Sequence, residues 1–299
     1  MNEYATLEQV TKYIGHGSAD TADNELLMEF IRNASRSIDR YTRRKFYPRK
    51  ESRIYNHPKD SQILKVDDDL LELITFKTQN GATTVASGVI WLGTGSEWNL
   101  SPYDRIVFDG SSGSVMSYSG TPQRANEVTA FWGYHENWNN GAWLDIGTSL
   151  VADYVASGGS ISLAGAGSHG AGASDIDGHA PRLSVGDTLR IGDQFFSVTG
   201  GNASGNGSVL VRPHINGTSG TSAASGASIA KFIPEFDIQY ATLRLAAYRY
   251  GQKDTPFQTK QGIFGTGSFT FEPESWPADV KDRIERFKRF TVNVIPGTT

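Results

Sequence analysis

At 299 residues the chain can bury a sizeable core, and ordinary domain sizes allow one to three domains. Hydrophobic residues at 38% and charged residues at 20% describe a globular protein, and the absence of cysteine excludes a disulfide framework and any thiolate metal or redox site, in keeping with a reducing compartment. A net charge of -4 argues against general affinity for nucleic acid, and no apolar run approaches ~18 residues, so neither a membrane span nor a signal peptide is expected.

In chain order, Thr6 and Gln9 have the spacing of a capping box, and Leu7, Val10, Tyr13 and Ile14 form a helical stripe behind them. A longer helix is predicted over residues 20–45. Leu26, Leu27, Phe30, Ile31, Ala34, Ile38 and Tyr41 recur every three or four residues, giving one apolar face. Asp20, Thr21 or Asp23 can cap it, Asp23 and Glu25 suit its positive end, and Arg40, Arg43, Arg44 and Lys45 suit its negative end before Pro48 stops it. A helix with one dry face needs partners, and further helical patterns lie at residues 236–250 and 277–290. The two chain ends are therefore expected to meet in one helical core.

After Pro48 the period changes. Short runs at 53–56, 63–66, 71–78, 89–92, 106–108 and 128–132 are rich in β-branched and aromatic residues and are separated by Gly, Asn, Pro and Asp, which predicts an antiparallel unit. Asn80-Gly81 is a turn signal. Trp91, Trp98, Tyr103, Phe108, Phe131, Trp132, Tyr134, Trp138 and Trp143 are expected to fill its core, the other use being a binding face. Residues 157–226 then hold about half of the chain's 33 glycines and the basic residues Arg182, Arg190 and Arg212, which predicts an inserted β module with a hairpin at Gly192-Asp193. Helical pattern resumes at Pro234. Ser275 and Pro277 open a last helix, past which Val292, Val294 and Ile295 alternate in an apolar tail.

Chemical motifs are sparse. Gly165, Gly167 and Gly170 match G-x-G-x-x-G with no helix pattern after them, which reads as chance in a Gly-rich stretch. His16, His57, His135, His169, His179 and His214 include no i, i+4 pair, and Asp175, Asp177 and Gly178 lack the acidic residue that ends a calcium loop, so no metal or cofactor is expected. Asp67, Asp68 and Asp69 read as a solvated turn. The run Arg40, Arg43, Arg44, Lys45, Arg49, Lys50 and Arg53 has only Glu51 against it; it reads as a solvated helix end, or as a face that meets phosphates or the acids of a neighbouring chain.

Several motifs in order resemble the head-to-tail adaptor (connector) proteins of tailed bacteriophages: IDRYTRRKFYP from Ile38, DDDLLELITFKTQNG from Asp67, FWGYHENW from Phe131, SVGDTLRIGDQFFSVTG from Ser184, NGTSGTSAASGASI from Asn216 and IPEFDIQYATLRLAAYRYGQKDTPF from Ile233. The resemblance covers nearly the whole chain. It implies a structural virion protein, not an enzyme, located in the neck at the head-tail interface and made in the host cytoplasm. Such a protein forms a ring, typically of twelve copies, beneath the portal protein and above a downstream neck or tail protein, and DNA passes through the lumen without sequence-specific binding. The expected fold is α+β: an amphipathic helical bundle from both ends (1–48 and 233–299), an aromatic-rich antiparallel β unit (49–156) and an inserted Gly/Ser-rich β module (157–232). Candidate partner-binding residues are Arg40, Arg43 and Arg44 on the long helix and Phe290, Val292, Val294 and Ile295 at the end. The rival reading is a carbohydrate-binding or adhesion protein of a phage virion that stacks sugars on exposed Trp91, Trp98, Trp138 or Trp143; a hydrolase working through scattered Asp and Glu has no recognisable setting.

Overall fold

The computed structural model describes residues 2–15, 22–94, 97–98, 101–154, 159–163, 183–201, 208–213, 222–253, 260–263, 267–270 and 276–289. Helix α1 (Leu7–Ile14) opens on the capping box its sequence announces: Gln9 N donates to the Thr6 hydroxyl and Thr6 N donates to Gln9 Oε1 at 2.9 Å. Helix α2 (Asn24–Thr42) lies inside the predicted span, shorter at both ends. Asp23 at its N-cap uses its carboxylate to accept from Tyr250 and Lys253 rather than to cap, and Arg43 ends the helix in the left-handed region at φ 58°.

Strands β1 (Arg49–Tyr55), β2 (Ile63–Thr78), β3 (Thr83–Val85), β4 (Ile90–Thr94), β5 (Glu97–Trp98), β6 (Tyr103–Phe108) and β7 (Asn126–Trp132) form one antiparallel sheet in the order β1-β7-β2-β6-β4-β5, with β3 on β2. The period of two sorts their side chains. Val128, Ala130 and Trp132 join Leu70, Phe76, Ile106 and Phe108 in a core on one face, while Phe131 and Leu71 face the other way. Residues 63–66 and 71–78 are not two strands joined by a turn. They are the two halves of β2, which runs through Asp67, Asp68 and Asp69, pairing β6 on one side of an irregular register and β7 on the other.

The short helix α3 (Trp138–Gly141) leads into a second antiparallel sheet made of β8 (Trp143–Ser149), β9 (Ser160–Ser162), β10 (Thr188–Ile191), β11 (Gln194–Gly201), β12 (Ser208–Pro213) and β13 (Ser228–Phe232), in the order β8-β13-β10-β11-β12-β9. This sheet begins at Trp143, well before the composition change at residue 157. Gly192-Asp193 is the two-residue loop between paired Ile191 and Gln194, with Gly192 at φ 59°. Ile146, Leu189, Ile191, Phe196, Val211 and Ile229 fill its own core. Its other face meets the first sheet, where Phe195 and Phe232 pack with Leu71, Phe131 and Trp138, and Trp143 stacks on Phe195 at 5.6 Å.

Helix α4 (Phe236–Gly251), the hairpin β14 (Lys260–Ile263) and β15 (Gly267–Thr270), and helix α5 (Ala278–Glu285) complete the described chain. The fold is mixed α and β with two antiparallel sheets and few helices, so a helical bundle is not its frame: the sheets are the larger part. The helices nonetheless share cores. Leu27, Ile31 and Ala34 of α2 pack with Val10 of α1 and Leu245 and Ala246 of α4. Ile38 packs with Tyr4, Phe46, Ile238, Ala241, Val280, Ile284 and Phe287. Full burial of an aliphatic or aromatic side chain is worth ~1.5 to 3 kcal/mol, so these two clusters dominate the fixing of α2.

Candidate functional site

Residues 2–6 run beside α2 and bind its C-terminal half. Tyr4 N donates to Ser35 Oγ at 3.2 Å, Arg36 donates to Asn2 O at 2.6 Å, and Arg32 reaches buried Glu3 at 3.0 Å. The Tyr4 hydroxyl donates to Asp39 and accepts from Phe46 N at 2.9 Å, tying the last turn of the helix to its exit. Burial, and then the Asp39 charge, push the Tyr4 phenol well above its ordinary value. Burial also raises the Asp39 carboxyl, with Arg36 at 3.4 Å and Lys45 at 3.6 Å opposing it.

Beyond α2 the basic run meets the acids of β2. Arg44 lies 2.6 Å from Asp69 and over the Tyr134 ring at 4.4 Å. Arg49 reaches Asp68 at 2.5 Å and Glu51 at 3.0 Å; Arg53 reaches Glu51 at 2.8 Å, Asp68 at 3.0 Å and Asp67 at 3.2 Å, and lies over Trp132 at 4.1 Å. Arg289, just past α5, adds Asp68 at 3.7 Å. Burial pushes the Asp68 carboxyl up, but Arg49 and Arg53 outweigh it and hold the group below the ordinary carboxylate range. Asp67, Asp68 and Asp69 are therefore not a solvated turn: they lie within β2 and pair with Arg44, Arg49 and Arg53 of the basic run from within the same chain.

What α2 leaves outward is a charged face. Glu25, Glu29, Arg40 and Arg43 are exposed on it. Arg40 Nη2 donates to Ser37 Oγ at 3.3 Å, and Arg249 Nη2 of α4 donates to the same oxygen at 3.3 Å. Arg249 Nη1 is buried with no hydrogen-bond partner among the described residues, and burial followed by the nearby Arg40 charge lowers the Arg249 pKa. Phe290, Val292, Val294 and Ile295, with the G-x-G-x-x-G stretch, Asp175 and Asp177, lie outside the described residues. Arg249 was not a sequence candidate, since in Tyr248-Arg249-Tyr250 it reads as one more wet-face charge.

Two other places have features of a binding site. A cleft of about 470 Å³ lies between residues 3–9, the second sheet and the start of α4. Its polar groups satisfy one another: Asp187 pairs with Lys231 at 3.1 Å, and Gln9 Oε1 accepts from Thr6 N and, at 3.4 Å, from Gln239 Nε2. Of the tryptophans proposed to stack sugars, Trp138 is 3% exposed and Trp143 is packed between the sheets, while Trp91 is 49% exposed. Buried His135 bonds Ile233 O and Asn137 N. Among the described residues no three His, Asp or Glu gather as a metal site, and no helix is long and apolar enough to cross a membrane.

No protein-family model matches the sequence. No curated protein matches it either. Among solved structures, the chain is similar to one from the neck of an empty GTA particle computed with C6 symmetry, at 14% identity over 98% of this chain and 93% of that one, with a TM-score of 0.40. The likeness is coarse.

Proposed function

We propose that this chain is a structural protein of the neck of a tailed-phage-like particle: a head-to-tail adaptor that forms a ring under the portal, joins capsid to tail and lets DNA pass. The observation that carries the reading is the over-determined placement of α2. Its inner face is packed by three other helices, its C-terminal half is laced to residues 2–6, and its exit is pinned by the ion pairs to β2, while Glu25, Glu29 and Arg40 face outward. Rigidity beneath an open, bipolar charged face suits repeated docking between identical subunits. The ordered motifs resembling adaptors supply the class of particle.

Passage of DNA without specific binding fits the same geometry. The arginines that would meet phosphates are largely committed to Asp67, Asp68, Asp69 and Glu51, so no strongly basic surface is built there. The role is structural rather than catalytic, the ring is of about twelve copies as in the proteins it resembles, and the partners are the portal and a downstream neck or tail protein. In this reading Phe290, Val292, Val294 and Ile295 dock on the portal, where burying three aliphatic side chains gives several kcal/mol per subunit at ~1.5 to 3 kcal/mol each, before the cost of ordering them. Electron microscopy of the chain mixed with its particle's portal protein tests this. The expected image is a coaxial ring on the portal, lost when residues 290–299 are removed from a chain that still folds; a full-length chain that leaves the portal bare overturns the reading.

A further inference from the structure

Most described arginines on the helical layer have an acid. Arg32 has Glu3, Arg36 has Asp39, Arg244 has Asp279, and Arg283 and Arg286 share Asp237. Arg40 and Arg249 do not. They converge from the last turns of two different helices on one hydroxyl oxygen, Ser37 Oγ, which itself lies 3.4 Å from Asn33 Oδ1. Two like charges that close, one with a buried and unbonded Nη1, are unfavourable in the isolated chain. Other arginines with a buried unbonded nitrogen, Arg44 and Arg49, hold a carboxylate through their remaining nitrogens. Two guanidiniums converging on one oxygen present their donors in the forked arrangement that receives an oxyanion.

The same helix carries the matching guest. Glu25 and Glu29 are exposed and have no basic partner among the described residues. At 3.6 residues per turn Glu29 and Arg40, eleven residues apart, project within about 20° of each other, and the acids precede Arg40 by about 16 to 22 Å along the axis. They are too far to reach it in the same copy. Acids at one end and uncompensated bases at the other make a face that complements itself when two copies are staggered. Each copy then offers an acid to one neighbour and a base to the other, which leaves no charge unmet only when the array closes.

We propose that Arg40 and Arg249, seated on Ser37, bind the carboxylate of Glu25 or Glu29 from the α2 helix of a second copy of this chain. The site is incomplete without that copy. It rests on the ring reading above and names the residues through which the ring would form.

The test compares wild type, Arg249→Gln, the double reversal Arg40→Glu with Arg249→Glu, and the opposite double reversal Glu25→Arg with Glu29→Arg, by sedimentation velocity with thermal melts of the dissociated chains. Self-association of Arg249→Gln is expected to weaken at least tenfold, while its monomer melts no lower than wild type because an unsatisfied cation has been removed. Each double reversal alone should fail to assemble, and an equimolar mixture of the two should restore assembly. If wild type assembles and the reversals assemble equally well, the site is wrong and the ring reading stands. If wild type stays monomeric at every concentration, the ring reading falls and takes this occupant with it. Assembly that is unchanged in Arg249→Gln, together with lost binding of a duplex DNA probe, would make the guest a phosphate and overturn the proposal. A lowered monomer melting temperature would show Arg249 to be a structural residue and overturn it as well.

Discussion

At the residue scale two positions carry consequences that composition hides. Gly133 sits where β7 ends, at φ 146°, and an added Cβ would lie 2.5 Å from Tyr47 O; its own N–H donates to Asp69 O at 2.9 Å. Gly133→Ala should therefore cost about 2 to 4 kcal/mol, read as a drop in the urea midpoint without a change in slope. A neutral effect would mean that the seam between the exit of α2 and the first sheet is loose. Asp68 is the second position. Its carboxyl is depressed in the folded chain, so its contribution is present above the ordinary carboxylate range and is lost as pH falls through its folded value. Asp39, Asp69 and Asp187, raised by burial, have the opposite sign and lose stability as pH rises through theirs. Asp68→Asn should destabilise by ~2 to 4 kcal/mol at pH 7, and the gap to wild type should narrow as pH approaches 3 in melts across that range. A gap that stays constant over the range contradicts the pairing. None of this was legible in Asp67-Asp68-Asp69, because an acidic triplet looks alike in a wet turn and beside arginines that arrive from fourteen to more than two hundred residues away. The charge balance of residues 40–69 taken together was the available signal.

At the element scale, periodicity and caps worked where structure is local. The Thr6–Gln9 box, the stripe of α2 and the Gly192-Asp193 hairpin are each decided by neighbours in sequence, and each is found where expected. Strand β2 defeated the same reading because its polar centre is stabilised by distant arginines, and pattern alone cannot show that three aspartates sit within a continuous strand. The second sheet is joined to the rest more closely than its Gly-rich composition suggests. Leu7 N donates to Val185 O at 3.1 Å, Ser184 Oγ donates to Glu8 at 2.7 Å, and Phe195 covers Phe131. Replacing residues 157–226 by a short Gly-Ser bridge removes β9 to β12 and uncovers Phe131 and Trp138, so helical circular dichroism should survive at low temperature with a melting point lowered by well over 10 °C. The loop closure itself costs only ~0.6 kcal/mol per doubling of length and would not produce such a shift. An unchanged melting point would show the sheet to be a true appendage.

At the scale of the whole molecule, the sequence showed that helices from both chain ends had apolar faces to cover, but not that two sheets would form most of the body. Nor did it show which cations stay unmatched. Arg40 and Arg44 look equivalent in Arg40-Tyr41-Thr42-Arg43-Arg44, yet one turn of helix and the left-handed residue Arg43 send Arg44 into Asp69 and leave Arg40 facing out beside Arg249. On the proposed ring reading, a subunit whose internal charges are largely matched and whose outward face is acidic at one end and basic at the other meets its own kind. Native mass spectrometry over a hundredfold range of concentration separates a closed ring from its alternatives. One closed oligomer of fixed copy number is expected, dissociating at high salt and not growing with concentration; a monomer at every concentration, or an open ladder of sizes, would overturn the ring.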